Sequence, residues 1–283
     1  MGNLKDLPLY NSLNIYEKVI LRTCFKVNSN TNTILEDEKP DEIVLRDSAY
    51  LSKKYLGQDF FDSLTGKRVL DFGCGRGNFT VAWAKEIKDG FIVGYDLRDR
   101  YTYASYPKEK VSSEFAFAEP GNLHKLKEHK FDVILSWDSF EHFDNPEEVV
   151  DEMVSLLNPG GKIYIKFGPT WMGPYGRHMH NTFRKDRPWL HLVLGEKHVM
   201  RVYSAVKGLE TFKTKWSEFP DGLNKMTIKK AKEVASSRNG VTMSSFKVIM
   251  YAKLRALKPL FNVPFIKELA SESVIIELSK TKK

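Results

Sequence analysis

The chain has 283 residues, of which 42% are hydrophobic and 28% are charged. These proportions are those of an ordinary globular protein, and they exclude a disordered, collagen-like or disulfide-scaffold protein. No run approaches the roughly 18 uncharged apolar residues of a membrane-spanning helix, and no secretory signal is visible at the start. Because Cys24 and Cys74 cannot form a disulfide framework, we expect a reducing, cytoplasmic location.

The net charge of +8 is unevenly distributed along the chain. Residues from Arg201 to Lys283 carry 17 Lys and Arg against 7 Asp and Glu, whereas the first 200 residues have a small net negative charge. Two interpretations of the basic C-terminal third remain open. It is either a solvated lysine-rich face or the contact surface for an anionic partner such as a phosphorylated glycan, a membrane surface or RNA.

The first 65 residues contain two helical candidates, Tyr10 to Phe25 and Ile43 to Leu56. Asp41 and Glu42 provide an acidic first turn for the second helix, and Gly57 provides its end. We therefore predict a helical N-terminal extension over residues 1–40, followed by a main domain over residues 41–283.

Strands and helices alternate through the next hundred residues. Short apolar runs predict strands at 67–72, 91–96, 131–136 and 162–167, and the amphipathic segments 78–88 and 146–157 predict helices between them. This alternation favours an α/β fold with a parallel sheet, because strands joined by right-handed crossover helices pair in that direction. Runs that are apolar on both faces predict helices on both sides of the sheet.

Residues 168–222 interrupt this rhythm with Gly, Pro, Trp and His but no clear periodicity. A segment this long inside a compact domain is usually a lid or binding element, so we predict an inserted lid or substrate segment here. Regular structure resumes with a predicted helix at 226–237. Two further strands are predicted at 243–252 and 273–278.

A glycine-rich turn follows the first predicted strand. Asp71-Phe72-Gly73-Cys74-Gly75-Arg76-Gly77 lies between that strand and a helix, and Asp96 ends the next strand, 21 residues after Gly75. Glycines in such a turn bring a ligand against the main chain, and an acid at the second strand's end can accept both hydroxyls of a ribose. The pattern predicts a nucleotide-type cofactor site.

A dinucleotide-binding dehydrogenase is the competing interpretation of this turn. Two features oppose it: Asn78 stands where the dinucleotide fingerprint has its last glycine, and Asp71 would repel a pyrophosphate. The cofactor should instead carry a cationic head.

From Lys67 to Phe167 the chain resembles the class I S-adenosylmethionine-dependent methyltransferases. The resemblance rests on five motifs that occur in order: VLDFGCGRGNF, VGYD, AEPGNL, FDVILSWDSFEHF and LLNPGGKIYI. It implies a Rossmann-like, seven-stranded, mostly parallel sheet with helices on both faces and an antiparallel last strand, for which SVIIELSK at 273–280 is the candidate. It also implies S-adenosylmethionine as cofactor.

The resemblance assigns cofactor-binding roles to six residues. Asp71, Gly73 and Gly75 should meet the methionine part of the cofactor, Asp96 the ribose and Glu119 the adenine, while Trp137 flanks the cofactor or substrate or is simply a buried aromatic.

The segment after the fourth predicted strand contains Asp138, Glu141 and His142. These side chains would share one face if the segment were helical. The pattern resembles a divalent-metal site of ubiquinone-type O-methyltransferases and small-RNA 2′-O-methyltransferases, and two carboxylates with one imidazole suit Mg²⁺, Mn²⁺ or Zn²⁺. Two alternatives are that His142 acts as a general base and that the group is structural.

His178 and His180 lie in the inserted segment beside Trp171, Arg177 and Trp189. Since the cofactor motifs occupy the loops after the first four strands, the acceptor should approach from this segment. We therefore expect His178 or His180 to assist deprotonation.

The resemblance therefore implies a methyltransferase that uses S-adenosylmethionine, and we expect it to methylate a hydroxyl of a small molecule or glycan intermediate. A metal-assisted RNA 2′-O-methyltransferase is the alternative enzyme, although no RNA-binding module is visible. A degenerate methyltransferase fold acting as a partner subunit is the non-enzyme alternative, and the intact glycine turn with Asp96 argues against it.

Overall fold

The computed structural model describes residues 4–26, 40–178, 182–183, 187–219 and 222–281. Its centre is a seven-stranded sheet with the order β3-β2-β1-β4-β5-β7-β6. The strands are β1 (Arg68–Phe72), β2 (Phe91–Tyr95), β3 (Glu114–Phe117), β4 (Phe131–Trp137), β5 (Leu157–Phe167), β6 (Val241–Met250) and β7 (Ser271–Lys280). Strands β1 to β5 pair in parallel, whereas β7 is antiparallel to both β5 and β6. The predicted sheet, including its antiparallel last strand, is confirmed.

Ten α-helices accompany the sheet in the described residues. They are α1 (Ile15–Cys24), α2 (Glu42–Leu56), α3 (Gln58–Asp62), α4 (Asn78–Glu86), α5 (Leu123–Leu126), α6 (Pro146–Leu156), α7 (Leu190–Leu194), α8 (Glu196–Val206), α9 (Ile228–Ser236) and α10 (Pro264–Ala270). None of these helices has the length and apolar character needed to cross a membrane.

Two apolar layers cover the faces of the sheet. One packs α6 and α9 on the sheet, with Val150, Met153 and Ala231 fully buried. The other packs α2 and α4 on the opposite face around Trp83. Its indole Nε1 donates to Ser52 Oγ at 3.0 Å, which satisfies its polar atom inside the core. Both strand faces are therefore buried, as their continuous apolar runs predict.

A third apolar cluster lies between the N-terminal residues and the inserted segment. It joins Leu21 and Phe25 to Val199, Val202 and Trp216. Helix α8 therefore lies in the segment 168–222, where the sequence suggested no regular periodicity. It is amphipathic, since Val199, Met200, Val202, Ala205 and Val206 are among its buried residues. Because the amphipathic pattern of α8 is short and lies among Gly, Pro and Trp residues, it is difficult to recognise in the sequence.

Glu17 is the polar anchor of α1 on α8. Its side chain is only 1% exposed, and Oε1 accepts from Arg201 Nε at 2.8 Å and from His198 Nδ1 at 3.0 Å. Burial alone would raise the pKa of Glu17, but hydrogen bonds from Asn14, His198 and Arg201 bring it below its usual value. The carboxylate is therefore stabilised in the folded protein.

Replacing Glu17 by Gln should lower the free energy of unfolding at pH 7 by about 1.5–3 kcal/mol, the value of hydrogen bonds to a charged group. The depressed pKa of Glu17 provides stability above the pKa of the unfolded chain, and this stability is lost as the pH falls through the folded-state value. The difference between wild type and Glu17→Gln should consequently shrink in acid. Urea unfolding at pH 7 and at lower pH measures this difference in the free energy of unfolding. The control variant is Glu233→Gln, on an exposed helix face. Equal losses for both variants would contradict the anchoring role.

Candidate functional site

A cavity of about 760 Å³ opens at the carboxyl ends of β1, β2 and β4. This is the edge at which parallel α/β sheets bind their ligands. Of the residues that the sequence singled out, Gly73, Gly75, Asp96, Asp138 and His142 line it. Phe72, Tyr95, Leu123, Phe143 and Val149 supply an apolar part of the wall.

The glycine turn forms the floor of the cavity. Backbone N–H groups of Gly73 and Cys74 both donate to the carbonyl of Tyr95, at 2.8 and 3.0 Å. Gly73 has a φ of +82°, and a Cβ there would lie 2.7 Å from the side chain of Ser139. Only glycine combines that backbone conformation with so close a neighbour.

Asp96 closes the turn from the end of β2. Its Oδ2 accepts from the Gly75 amide at 2.9 Å, and its Oδ1 accepts from the Arg98 amide at 3.1 Å. The hydroxyl of Tyr101 accepts from the Asp96 amide at 3.0 Å. The carboxylate thus joins the β1 turn to the β2 loop and stands on the cavity wall, as the sequence predicts.

Asp71 lies beneath the turn rather than on the cavity wall. It is 1% exposed, and its Oδ2 accepts from Thr80 Oγ1 at 2.7 Å. Burial raises the pKa of Asp71 to about 7, opposed by the Thr80 hydrogen bond and reinforced by the nearby charge of Asp96. A cation above the turn would favour the ionised form of this carboxyl.

Two predicted cofactor residues lie away from the cavity in this structure. Glu119 is exposed, and its Oε2 accepts from Lys125 Nζ at 2.5 Å. Trp137 is buried among Phe79, Trp83 and Tyr55 in the core of the sheet's α2 face. Trp137 therefore occupies the position of a packing residue, the alternative that the sequence left open.

Asp138 lies at the end of β4 in a left-handed conformation, with φ +50°. Its Oδ1 accepts from Lys166 Nζ at 2.5 Å, and this ammonium also lies over the rings of Tyr55 and Trp137. Desolvation by the surrounding protein raises the pKa of Asp138 to about 6, and the Lys166 ammonium opposes this rise. The side chain of Asp138 is still 36% exposed to the open cavity. The full rise in its pKa therefore requires a bound ligand that excludes water.

Glu141 lies in the short helical turn Phe140–His142 and is almost completely buried. Its Oε1 accepts from the Gly168 amide at 3.2 Å. Its Oε2 is buried and has no hydrogen-bond partner among the described residues. Burial raises the pKa of Glu141, with His142, backbone amides and Lys166 acting in the opposite direction.

The imidazole of His142 lines the cavity. Its Nδ1 donates to the carbonyl of Gly222 at 3.0 Å, which fixes the tautomer and leaves a lone pair on Nε2. Asn224 holds the turn in place, since its side-chain amide donates to the carbonyls of Phe140 and Phe143 at 2.9 Å each. Its backbone N–H donates to the Glu141 carbonyl.

His178 lies behind His142 as seen from the cavity. Its Nε2 donates to the carbonyl of Pro169 at 2.9 Å, and its Nδ1 is 3.9 Å from Glu141 Oε1. The two imidazole rings meet edge to face with centroids 5.6 Å apart. His178 does not line the cavity, and His180 falls outside the described residues.

The side chains that lie close enough together to hold a divalent cation are not those of the predicted trio. One ligand atom each from Glu141, His142 and His178 lies within 4.8 Å of the others, whereas Asp138 is not part of this group and pairs with Lys166. Among the described residues, Oε2 of Glu141 has no hydrogen-bond partner and Nδ1 of His142 donates to a carbonyl, so these two groups suit a divalent ion. A metal role for Asp138, Glu141 and His142 stays a prediction.

Sequence reasoning missed Lys166, Ser139 and Asn224. Lys166 lies in a strand in which apolar and polar residues alternate, so a lysine there suggests no function. Asn224 follows His142 by 82 residues, too far for a sequence motif to connect them. Only the folded chain brings Lys166 and Asn224 to the turn after β4, in which Ser139 already lies. A signal that could have found Lys166 is its place at the carboxyl end of β5, where ligand-binding residues gather.

Replacing Gly73 by Ala should abolish cofactor binding or destabilise the protein, because the new Cβ would collide with Ser139. A second substitution, Ser139→Gly, removes that collision and should restore part of the loss. The control is Gly208→Ala, which shares a positive φ of +69° but meets nothing within 4 Å. Melting temperature with and without S-adenosylhomocysteine is the measurement. If Gly73→Ala and Gly208→Ala behave alike, the close approach to Ser139 is unimportant.

The chain is similar in sequence to two methyltransferases over about half of its length. It is 26% identical over 158 residues to a ubiquinone biosynthesis O-methyltransferase of Bordetella pertussis, an alignment covering 51% of this chain and 55% of that protein. It is 23% identical over 154 residues to the protein of the same name from Neisseria meningitidis serogroup C, covering 52% and 58%. The chain thus spans little more than half the length of these relatives.

Among solved structures, the magnesium protoporphyrin IX methyltransferase of Synechocystis PCC 6803 superposes with a TM-score of 0.44 at 13% identity, covering 90% of each chain. Similarity at that level does not reveal which substrate the chain takes. A family model described as a methyltransferase domain matches residues 46–205, more than half of the chain. The protein belongs to this methyltransferase-domain family, in agreement with its resemblance to the class I enzymes.

Proposed function

We propose that the protein transfers a methyl group from S-adenosylmethionine to a hydroxyl of a small molecule or glycan intermediate. The observation that carries this proposal is one cavity whose wall contains both the Gly75–Asp96 turn and the ring of His142. Family membership supports methyl transfer, and the names of the two relatives support oxygen as the acceptor atom.

The charge of the cavity suits a cationic cofactor. Five acidic side chains and two arginines line the cavity. The acidic side chains are Asp96, Asp138, Asp144, Glu148 and Glu152, and the arginines are Arg98 and Arg100. S-adenosylmethionine supplies an electrophilic methyl group on a positively charged sulfur. The glycine turn would receive its amino-acid part, Asp96 its ribose hydroxyls, and Asp71 would favour its positive charge from beneath the turn.

The same charge disfavours the RNA alternative. A polyphosphate backbone approaching five carboxylates would be repelled, because nucleic-acid affinity depends on cations that neutralise phosphates. The basic residues of the C-terminal third lie elsewhere in the chain. A small acceptor with a hydroxyl therefore fits this cavity better.

Replacing Asp96 by Ala should weaken binding of S-adenosylhomocysteine by about 1.5–3 kcal/mol, the scale of hydrogen bonds to a charged group. Calorimetric titration measures the change, and Asp99→Ala in the same exposed loop is the control. The wild-type melting temperature should rise with S-adenosylmethionine, because a ligand of the folded state stabilises it. A rise with NADH and none with S-adenosylmethionine would overturn the cofactor assignment.

His142 is positioned to accept the proton of the acceptor hydroxyl. Its Nδ1–H is held by the Gly222 carbonyl, so Nε2 carries the lone pair that a general base needs. Nearby, the Lys166 ammonium holds Asp138 in place at the cavity wall. His178 supports this arrangement from behind, through its contacts with Glu141 and the His142 ring.

A divalent cation is the second candidate for activating the hydroxyl, favoured by the unpartnered Oε2 of Glu141. Glu141, His142 and His178 would hold it. It would supply Lewis acidity that lowers the pKa of a bound hydroxyl. Nε2 of His142 would then serve as a ligand instead of a base.

His142→Ala should lower kcat by about 10²–10⁴-fold, the usual cost of removing a general base. Affinity for S-adenosylhomocysteine should remain close to wild type, because His142 takes no part in the hydrogen bonds of Asp96 with the Gly75 and Arg98 amides. His178→Ala should have a smaller effect and keep the wild-type pH profile, since His178 does not line the cavity. Single-turnover rates with an identified acceptor measure both, and His129→Ala on the surface is the control.

Repeating these rates in excess EDTA separates the two modes of activation. With His142 as base, turnover should persist in the chelator. If turnover is lost while cofactor binding is retained, and Mg²⁺, Mn²⁺ or Zn²⁺ restores it, then a cation and not His142 as base activates the hydroxyl. Normal turnover of His142→Ala would contradict both.

A further inference from the structure

The hairpin between β6 and β7 projects from the sheet as an apolar and basic surface. Its outer part runs from a 3₁₀ segment at Ala252–Leu260 into α10, and the 3₁₀ segment has no buried residue. Leu257, Leu260, Val263 and Phe265 are exposed, the last by 65%. We call these four side chains, together with Lys253, Arg255 and Lys258, the hairpin surface.

The charge of this surface is of one sign. Between Glu233 and Glu268 the sequence contains six Lys and Arg and no Asp or Glu. Lys253, Arg255 and Lys258 are all exposed among the apolar side chains. No ion pair with Lys253, Arg255 or Lys258 is found among the described residues, and the four exposed apolar side chains lie within nine positions of one another. This combination requires an explanation, because single exposed hydrophobic residues are common but clustered ones mark interaction sites.

The base of the hairpin is firmly attached to the body of the protein. Trp189 Nε1 donates to the Leu269 carbonyl at 3.0 Å, and Tyr251 N donates to the Ala270 carbonyl at 2.8 Å. The Glu268 carboxylate accepts from the first backbone amides of α9, those of Ile228 and Lys229, at 3.0 Å each. The surface is thus presented on an anchored element.

We propose that the hairpin surface binds the surface of an anionic phospholipid bilayer. Leu257, Leu260, Val263 and Phe265 would enter the boundary between headgroups and acyl chains, and the three cations would contact lipid phosphates. Long basic side chains can reach the headgroups while their aliphatic stems stay in apolar surroundings.

Charge and side-chain type favour a bilayer over other occupants. A second copy of the chain would oppose like charges in a symmetric contact. Single-stranded nucleic acid is bound largely by aromatic stacking, and three of the four exposed apolar side chains here are aliphatic. An acidic protein would satisfy the cations, and it is an outcome of the experiment below.

The hairpin leaves the sheet at the edge that carries the cavity. Val274 of β7 pairs with Phe167 at the carboxyl end of β5, and Met250 of β6 pairs with Ser271. A bilayer bound by the hairpin would therefore face the cavity-bearing edge. This consequence rests on the proposed function, whereas lipid binding itself does not.

Sedimentation with vesicles tests the proposal. Wild type should sediment with vesicles of phosphatidylcholine and phosphatidylglycerol, and not with vesicles of phosphatidylcholine alone. Lys253→Glu/Arg255→Glu/Lys258→Glu should weaken this binding by about tenfold or more, because each basic residue near an anionic surface contributes separately. The matched control is Lys88→Glu/Lys108→Glu/Lys110→Glu, which changes net charge equally at exposed positions elsewhere and should bind as wild type does.

A second variant examines the apolar part. Leu260→Ser/Phe265→Ser should reduce binding to anionic vesicles and make the remainder more sensitive to salt, since only electrostatic attraction is left. Melting temperature and S-adenosylhomocysteine affinity, measured on every variant, show that each is folded and test the cofactor site separately. Failure to bind anionic vesicles, equal loss in the control, or binding to polyglutamate or RNA in preference to vesicles would overturn the proposal.

Discussion

The buried carboxylate of Glu141 is the constraint on which the acceptor side of the site depends. It receives the Gly168 amide at the start of the inserted segment and lies beside His178 from that segment. Its own turn is held by Asn224 from a third part of the chain. An acidic group is costly to bury, so the hydrogen bond from the Gly168 amide to Oε1 favours the close approach of the inserted segment.

The cofactor side is built on a different and more local principle. The turn after β1 and the loop after β2 are joined by Asp96, whose two oxygens accept amides from both. The residues concerned lie within some thirty positions of one another, and the turn depends on backbone conformations available to glycine. A short stretch of sequence therefore contains nearly all the information that forms it.

This difference explains how much could be predicted from the sequence. The positions of β1, β2, β4 and β5, the glycine turn and Asp96 follow from contiguous motifs. Strand β3 has only four residues and was not predicted, because Glu114–Phe117 offers too little pattern. The pairing of Asp138 with Lys166 joins β4 to β5, and Asp138 is not part of the group formed by Glu141, His142 and His178. Such pairings arise only when distant strand ends meet.

The charge of the whole chain gave little indication of the charge at the site. A net charge of +8 suggests an anionic partner, yet the cavity wall is predominantly acidic. The two facts are compatible because opposite charges are separated in space, with carboxylates around the cavity and cations on the β6–β7 hairpin. Such a separation allows one edge of the sheet to attract a cationic cofactor and an anionic surface at the same time.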